Sequence, residues 1–362
     1  VPAGSFRVGD SISQHSLGQY GTHKPFLIEG NGLSIANTEG ALNSLEGDME
    51  STQFHAQFPS GYHGFYAMKY EISQQQYADF LNTLTLNQQE ARTQVSPVSS
   101  KGTPAMAYAV THRNAIVIDV PSDGTLAASY TCNANIGNAS NAPDDGQWRA
   151  MNWLNWDDLT AYMDWAALRP MTETEYEKLS RGKEEYSVKG EFAWGTPWTI
   201  DANTLIEDGT NAESVSEMGT DSIGLANHGY EGVDGPLRGG FAAGQTSNRI
   251  QSGAGYYGAF ELSGNVWEIC VALNRHAANF DGKNGDGIIS ETGSANELSW
   301  PSGQTALGAI YRGGAWYSGI YEPGSFRDLA ISDRFYYNLT PTQRRDTAGG
   351  RGAKTCTRCA NY

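Results

Sequence analysis

Apolar residues recur at helical spacing in three places along the chain. The strand-like run Phe65-Tyr-Ala-Met-Lys-Tyr-Glu-Ile72 leads into Ser73, which can cap a helix carrying Tyr77, Phe80, Leu81 and Leu84 on one face. A second helix is predicted from about Asn155 to Leu168. Asp157 and Asp158 fall in its first turn, where the helix dipole favours negative charge, and Trp156, Leu159, Tyr162, Met163 and Ala166 form its inner stripe. The third lies in RPMTETEYEKLSRG. There Pro170 ends the preceding segment, Thr172 and Glu175 make a capping box, Tyr176 and Leu179 face inward, and Gly182 supplies a left-handed stop. Residues 87–150 are polar and turn-rich and read as a long insertion. From 183 onward, short strands alternate with glycine-punctuated loop. The pattern predicts an α+β fold in one unit spanning 1–362, with few helices, small sheets and extensive ordered loop.

Composition sharpens this picture. The 43 glycines explain the interrupted periodicity, while nine Trp and nineteen Tyr are far too many for a disordered chain. A formal charge of −16 argues against nucleic-acid binding, which needs clustered Lys and Arg, and suits a chain that holds cations. No apolar run of about 18 residues exists, so no transmembrane segment is expected. The chain starts at Val1 without Met, so a processed N-terminus is expected and secretion stays open.

Irregular backbone still needs hydrogen-bond partners when it is buried. Calcium collects six to eight oxygens at about 2.3–2.6 Å, so an acidic, loop-rich chain makes calcium a reasonable expectation. Cys356-Thr-Arg-Cys359 lacks both the histidine of a haem site and a second CxxC for zinc, leaving a terminal disulfide or two free thiols. The stretch FDGKNGDGIIS (280–290) imitates a calcium loop through Asn284 and Asp286, but Gly282 stands where the first acidic ligand belongs. A glycine-rich Asx turn is the expectation there.

Several separated segments belong together: VPAGSFRVGD at the start, RPMTETEYEKLSRG with FAWG (192–195), ELSGNVWEIC (261–270) and YRGGAWYS (311–318). ISDR (331–334) and GGRGAK (349–354) follow as closing arginine segments, the latter with Gly350 in place of the usual Phe. In this order they resemble the formylglycine-generating enzyme, or sulfatase-modifying factor, family. The resemblance covers nearly the whole chain and implies a variant of the C-type-lectin-like fold.

Enzymes of that family oxidise a peptide cysteine with copper held by two cysteines, one just after the G-G-S-[FYW] turn and one five residues later. Those positions carry Ser318 and Pro323 here. Cuprous ion requires soft thiolates, so the resemblance implies neither copper nor the family's catalysis, and no catalytic residue is assigned. The seven histidines are scattered and suggest no iron centre, and no G-x-S-x-G elbow supports a Ser318 triad.

The family's structural calcium sites carry over better. One maps to Asn227, His228, Asp234 and Pro236, with His228 and Pro236 offering backbone oxygen only. The other maps to Glu261, Gly264, Val266 and Glu268, with carbonyls from the middle pair. Around the old active-site cleft, Trp316, Tyr317, Ser318, Tyr321, Tyr336, Tyr337 and Asn338 form a possible binding surface, with neighbouring Phe335 expected in the core. These features imply a non-catalytic, extracellular or cell-surface protein. It would act as a calcium-stabilised binding or assembly module for a protein or glycan ligand, or for itself. Two alternatives stand beside it: a retroelement-diversified variable ligand-binding protein of the same fold, with differences confined to about 316–345, and an enzyme of altered, non-copper chemistry.

Overall fold

The computed structural model describes residues 1–109, 111–183, 187–229, 232–318 and 327–356. Four α-helices occur among them: α1 Gln74–Asn82, α2 Leu86–Arg92, α3 Trp156–Trp165 and α4 Glu173–Arg181. Each opens with a complete capping box, from Ser73 and Gln76, Thr85 and Gln88, Asn155 and Asp158, and Thr172 and Glu175. These boxes satisfy N–H groups that no helix can pair internally. Gly182 ends α4 at a φ of 84°, as the sequence implies. Helix α3 stops three residues before the predicted Leu168, and Ala166 becomes its C-cap. Helix α2 was not predicted. Its buried residues are Gln89 and Arg92, so hydrophobic spacing carries no signal for it.

The strands are short. The one predicted over 65–72 covers only Phe65–Ala67, at the edge of a sheet with Gly352–Thr355 in the middle and Arg169–Pro170 beyond. A second three-stranded sheet positions the site. In it, Trp267–Val271 runs antiparallel to Ala309–Arg312 and parallel to Ala348–Gly349, placing Glu268 between Arg312 and Gly349. Within 87–150, a hairpin of Ile116–Val120 and Ser129–Cys132 packs on α1. Ile116, Ile118, Tyr130 and Cys132 share one core with Tyr77 and Phe80 of α1 and Trp156 and Leu159 of α3. This segment is therefore part of the main core. Its alternating apolar positions are masked in sequence by the turns around them.

A second buried layer is ionic. Glu173 and Glu177 of α4 receive Arg312, at 3.2 and 2.8 Å; Arg334 also reaches Glu173, and Arg181 reaches Glu177. All five side chains are at most 4% exposed. Arg312 also donates to the carbonyl of Ile331, so α4 fixes both the 311–318 turn and the closing ISDR segment. In water such pairs contribute little, but here losing one partner strands a buried charge.

The 280–290 stretch forms Asx turns, as expected. Asp281 accepts from the N–H of Lys283, and Asp286 from that of Ile288.

Candidate functional site

The RGGAW turn leads from the buried arginine to the surface. Gly313 and Gly314 have φ of 86° and 73°. A Cβ on Gly313 would stand 2.5 Å from the carbonyl oxygen of Leu262, so only glycine fits this approach. Gly264 donates to the Gly313 carbonyl and Trp316 to that of Asn265, joining the turn to the ELSGNVWE segment. Ser318 closes the turn on itself: its Oγ accepts from the Ala315 N–H at 2.9 Å, while its carbonyl accepts from Gly229.

Beyond the turn lies a cleft of about 450 Å³. Trp267, Tyr311, Trp316, Tyr317 and Tyr336 supply its aromatic walls, and Ser318, Asp328, Arg345 and Asp346 its polar ones. Trp267 meets Tyr336 edge-on, with ring centroids 5.3 Å apart and planes at 89°. Leu339, Thr347 and His112, the last from within 87–150, complete the lining. The His112 imidazole stacks on Trp316, with Nδ1 2.9 Å from Asp234 and Nε2 3.1 Å from Asp346. Sequence spacing gave no hint of His112, because its carboxylate partners lie more than a hundred residues away.

Of the surface proposed from sequence, Trp316, Tyr317, Ser318 and Tyr336 converge on this cleft. Tyr337 instead packs against His15 with ring centroids 4.3 Å apart and planes tilted by 40°, and hydrogen-bonds Asp48. Asn338 is exposed, and Tyr321 and Pro323 lie outside the described residues. Phe335 is not core: it is exposed and packs edge-on against Tyr336. The residues do not fit a cuprous ion. Ser318 offers a hard hydroxyl committed to its own turn, and the free thiols Cys132 and Cys270 are buried in separate cores. Burial raises the pKa of both, Cys132 to about 12. Cys356 is disulfide-bonded, and Cys359 lies outside the described residues.

Behind the cleft, Glu261 and Glu268 are buried together with a third carboxyl, Glu71. Arg351 pairs with Glu268 at 2.5 Å, and Gly240 donates to Glu261 at 2.9 Å. Each of these two carboxylates keeps one buried oxygen, Oε2, without a hydrogen-bond partner. Glu71 accepts from the Asn265 amide and the Val266 N–H, holding the Gly264–Val266 turn in place. Burial pushes Glu261 up to about 7 and raises Glu268; burial and the charges of Glu268 and Glu261 push Glu71 well up. Three carboxyls face one guanidinium with two oxygens orphaned, a hard-oxygen donor set of the kind calcium takes, but their ligand atoms do not all come within 4.8 Å of one another.

The other predicted set is drawn together less. Asn227 is buried with its Oδ1 unpartnered, and its amide donates to Gly235 and Asn265. Asp234 turns outward to His112, and the Pro236 carbonyl accepts from Arg113 at 3.0 Å. His228 is buried, which lowers its pKa to about 4, and its backbone N–H donates to Asp201. Asp201, pushed up to about 6 by burial, is an oxygen donor the sequence did not single out. Among the described residues, one set of three His, Cys, Asp or Glu ligand atoms lies within 4.8 Å of one another: His15, Glu46 and Asp48, at the surface.

The family model of the sulfatase-modifying factor enzyme 1-like domain matches residues 38–356. No curated protein matches the chain. Solved structures similar to it include Treponema denticola variable protein 1, at 13% identity and a TM-score of 0.34, covering 93% of this chain and 98% of that one. Another is a Major Tropism Determinant I1 variant, at 15% identity and a TM-score of 0.30, covering 96% and 61%. A U1 variant follows at 14% and 0.28, covering 98% and 72%. The chain belongs to the sulfatase-modifying factor enzyme 1-like family, with that family's C-type-lectin-like α+β fold.

Proposed function

We propose that the chain is a non-catalytic ligand-binding protein whose contact side chains stand on the 316–345 loops, as in a retroelement-diversified variable protein. One observation carries this reading. The backbone of the cleft is held from outside by Arg312 on α4, by Asn265 on Trp316 and by Gly229 on Ser318. Tyr317 and Phe335, 39% and 36% exposed, project from that frame, whereas the Ser318 hydroxyl and Arg334 belong to it. A surface of this kind tolerates substitution without loss of fold, and aromatics give it contact area at low entropic cost. A static assembly module needs no such separation of frame from face.

The buried Glu261–Glu268 pocket holds a structural calcium in this reading, and the cleft takes a protein or glycan ligand. The disulfide at Cys356 supports an extracellular or cell-surface location, where oxidising conditions preserve such bonds. No helix among the described residues is long and apolar enough to cross a membrane.

Sequencing sibling genes tests the proposal. Differences should concentrate at cleft-facing positions of 316–345 while Arg312, Gly313, Gly314 and Asn265 stay fixed. Differences spread evenly along the chain would count against it, as would copper-dependent oxidation of a peptide cysteine by the purified protein.

A further inference from the structure

The register of the amino-terminal sheet gathers a set of ligand atoms that shares no residue with either carboxylate set above. Leu17–Gln19 runs antiparallel to Leu42–Ser44 with Leu17 opposite Ser44, and the Leu45 N–H extends the pairing to the Ser16 carbonyl at 2.9 Å. The same register brings His15 to Glu46, whose Oε1 accepts from the His15 backbone N–H at 3.2 Å. Gly47, at a φ of 69°, then turns the chain so that Asp48 faces the same imidazole. A Cβ on Gly47 would stand 2.6 Å from the Tyr20 ring, so this turn needs glycine.

His15 Nδ1 lies 3.0 Å from Asp48 Oδ2 and 3.5 Å from Glu46 Oε2. Yet Nδ1 is buried and makes no hydrogen bond to either. An imidazolium paired with a carboxylate would align its N–H with one oxygen, and this ring does not. The spacing is instead that of ligands around a shared ion: bonds of about 2.0–2.2 Å at tetrahedral angles hold ligand atoms roughly 3.3–3.5 Å apart. The second oxygen of each carboxylate is already spent, Glu46 Oε1 on the His15 N–H and Asp48 Oδ1 on the Ser44 hydroxyl. That leaves Oε2 and Oδ2 to face Nδ1. Tyr337 supports the set from outside, packed on the His15 ring and hydrogen-bonded to Asp48. Arg334 also reaches the His15 carbonyl, but its guanidinium is matched by Glu173 at 2.7 Å, so the two carboxylates keep their charge for an ion. The three side chains are 24%, 42% and 31% exposed, which admits water as a further ligand.

We infer that His15, Glu46 and Asp48 bind a zinc-class dication, with water completing a tetrahedron. Carboxylates alone on a surface are an ordinary solvated face; the unbonded imidazole nitrogen between them is what marks a site. That nitrogen favours a borderline metal over calcium, and zinc stands above manganese and ferrous ion in affinity for such donors. The ion ties the amino-terminal sheet to the segment of Arg334 and Tyr337, whose neighbour Tyr336 walls the cleft.

Calorimetry with zinc chloride on the chelator-stripped full chain tests the site, in excess calcium so that the Glu261–Glu268 pocket does not compete. One equivalent of zinc should bind. Tyr337→Phe, which removes only the outer support, should weaken binding about tenfold. His15→Ala and Asp48→Asn, which remove ligands, should each cost more than that. Glu268→Gln should leave zinc affinity unchanged, so failure here is separable from failure of the calcium reading. Circular dichroism of each variant confirms folding. No zinc uptake would overturn the inference, as would uptake that survives both ligand substitutions or is lost with Glu268→Gln.

Discussion

His112 lays its imidazole against the indole of Trp316, with ring centroids 5.0 Å apart and planes 28° from parallel. The same ring lies between the carboxylates of Asp234 and Asp346. One residue of the 87–150 segment thus joins the 232–237 loop, the closing segment and the cleft wall. His112→Ala should cost about 1 kcal/mol, since the side chain is a third exposed. It should also open Trp316 to quenching by iodide. An unchanged quenching curve would show that the stack does not shape the cleft.

The ionic layer under the cleft predicts a larger effect. Replacing Arg312 by Met removes the guanidinium that Glu173 and Glu177 share. Breaking a buried pair from one side costs about 3–5 kcal/mol. Urea denaturation should give a loss of that order. A loss under about 1 kcal/mol would mean that Arg334 and Arg181 suffice for the two carboxylates.

The cation pocket makes a separable prediction. Calcium at a hundred times its Kd should add about 2.7 kcal/mol to stability, and a chelator should remove it. Glu268→Gln should abolish the response. Asp234→Asn should leave it intact, because that carboxylate faces His112. A thermal midpoint indifferent to both calcium and chelator would remove calcium from the account.

Glu217 predicts an acid limb. Burial would raise its pKa, but N–H groups of Thr204 and Asn203, each at 3.1 Å, bring it down to about 2. A depressed carboxyl stabilises the fold above its unfolded value of 4.5 and loses that contribution as pH falls towards 2. Glu217→Gln should therefore flatten the stability profile between about pH 2 and 4.5 and change little near neutrality. Parallel profiles for the two proteins would contradict the assignment.

What was legible in the chain follows from which contacts are local. Helix α4 announces itself through Thr172, Glu175 and Gly182 because capping is written within ten residues. Helix α2 is silent because its buried residues, Gln89 and Arg92, are polar and are satisfied by distant groups: Gln89 donates to Leu81 and Ala128, and Arg92 pairs with Asp157 and Asp158. Glu261 and Glu268 were found through their motif. Glu71 was not, since a single glutamate after an edge strand has no spacing to betray that it anchors Val266. For His112, the recognising partners are supplied only by the fold. Asp234 illustrates the converse: its motif position is right, yet the folded chain turns it to a histidine that sequence comparison does not place beside it.

Cuprous titration against a chromogenic chelator tests the central claim most directly. With Ser318 at the thiolate position and Cys132 and Cys270 buried elsewhere, the protein should leave all the copper with the chelator and oxidise no peptide cysteine. One tightly held equivalent of copper, lost on Ser318→Ala, would contradict the account.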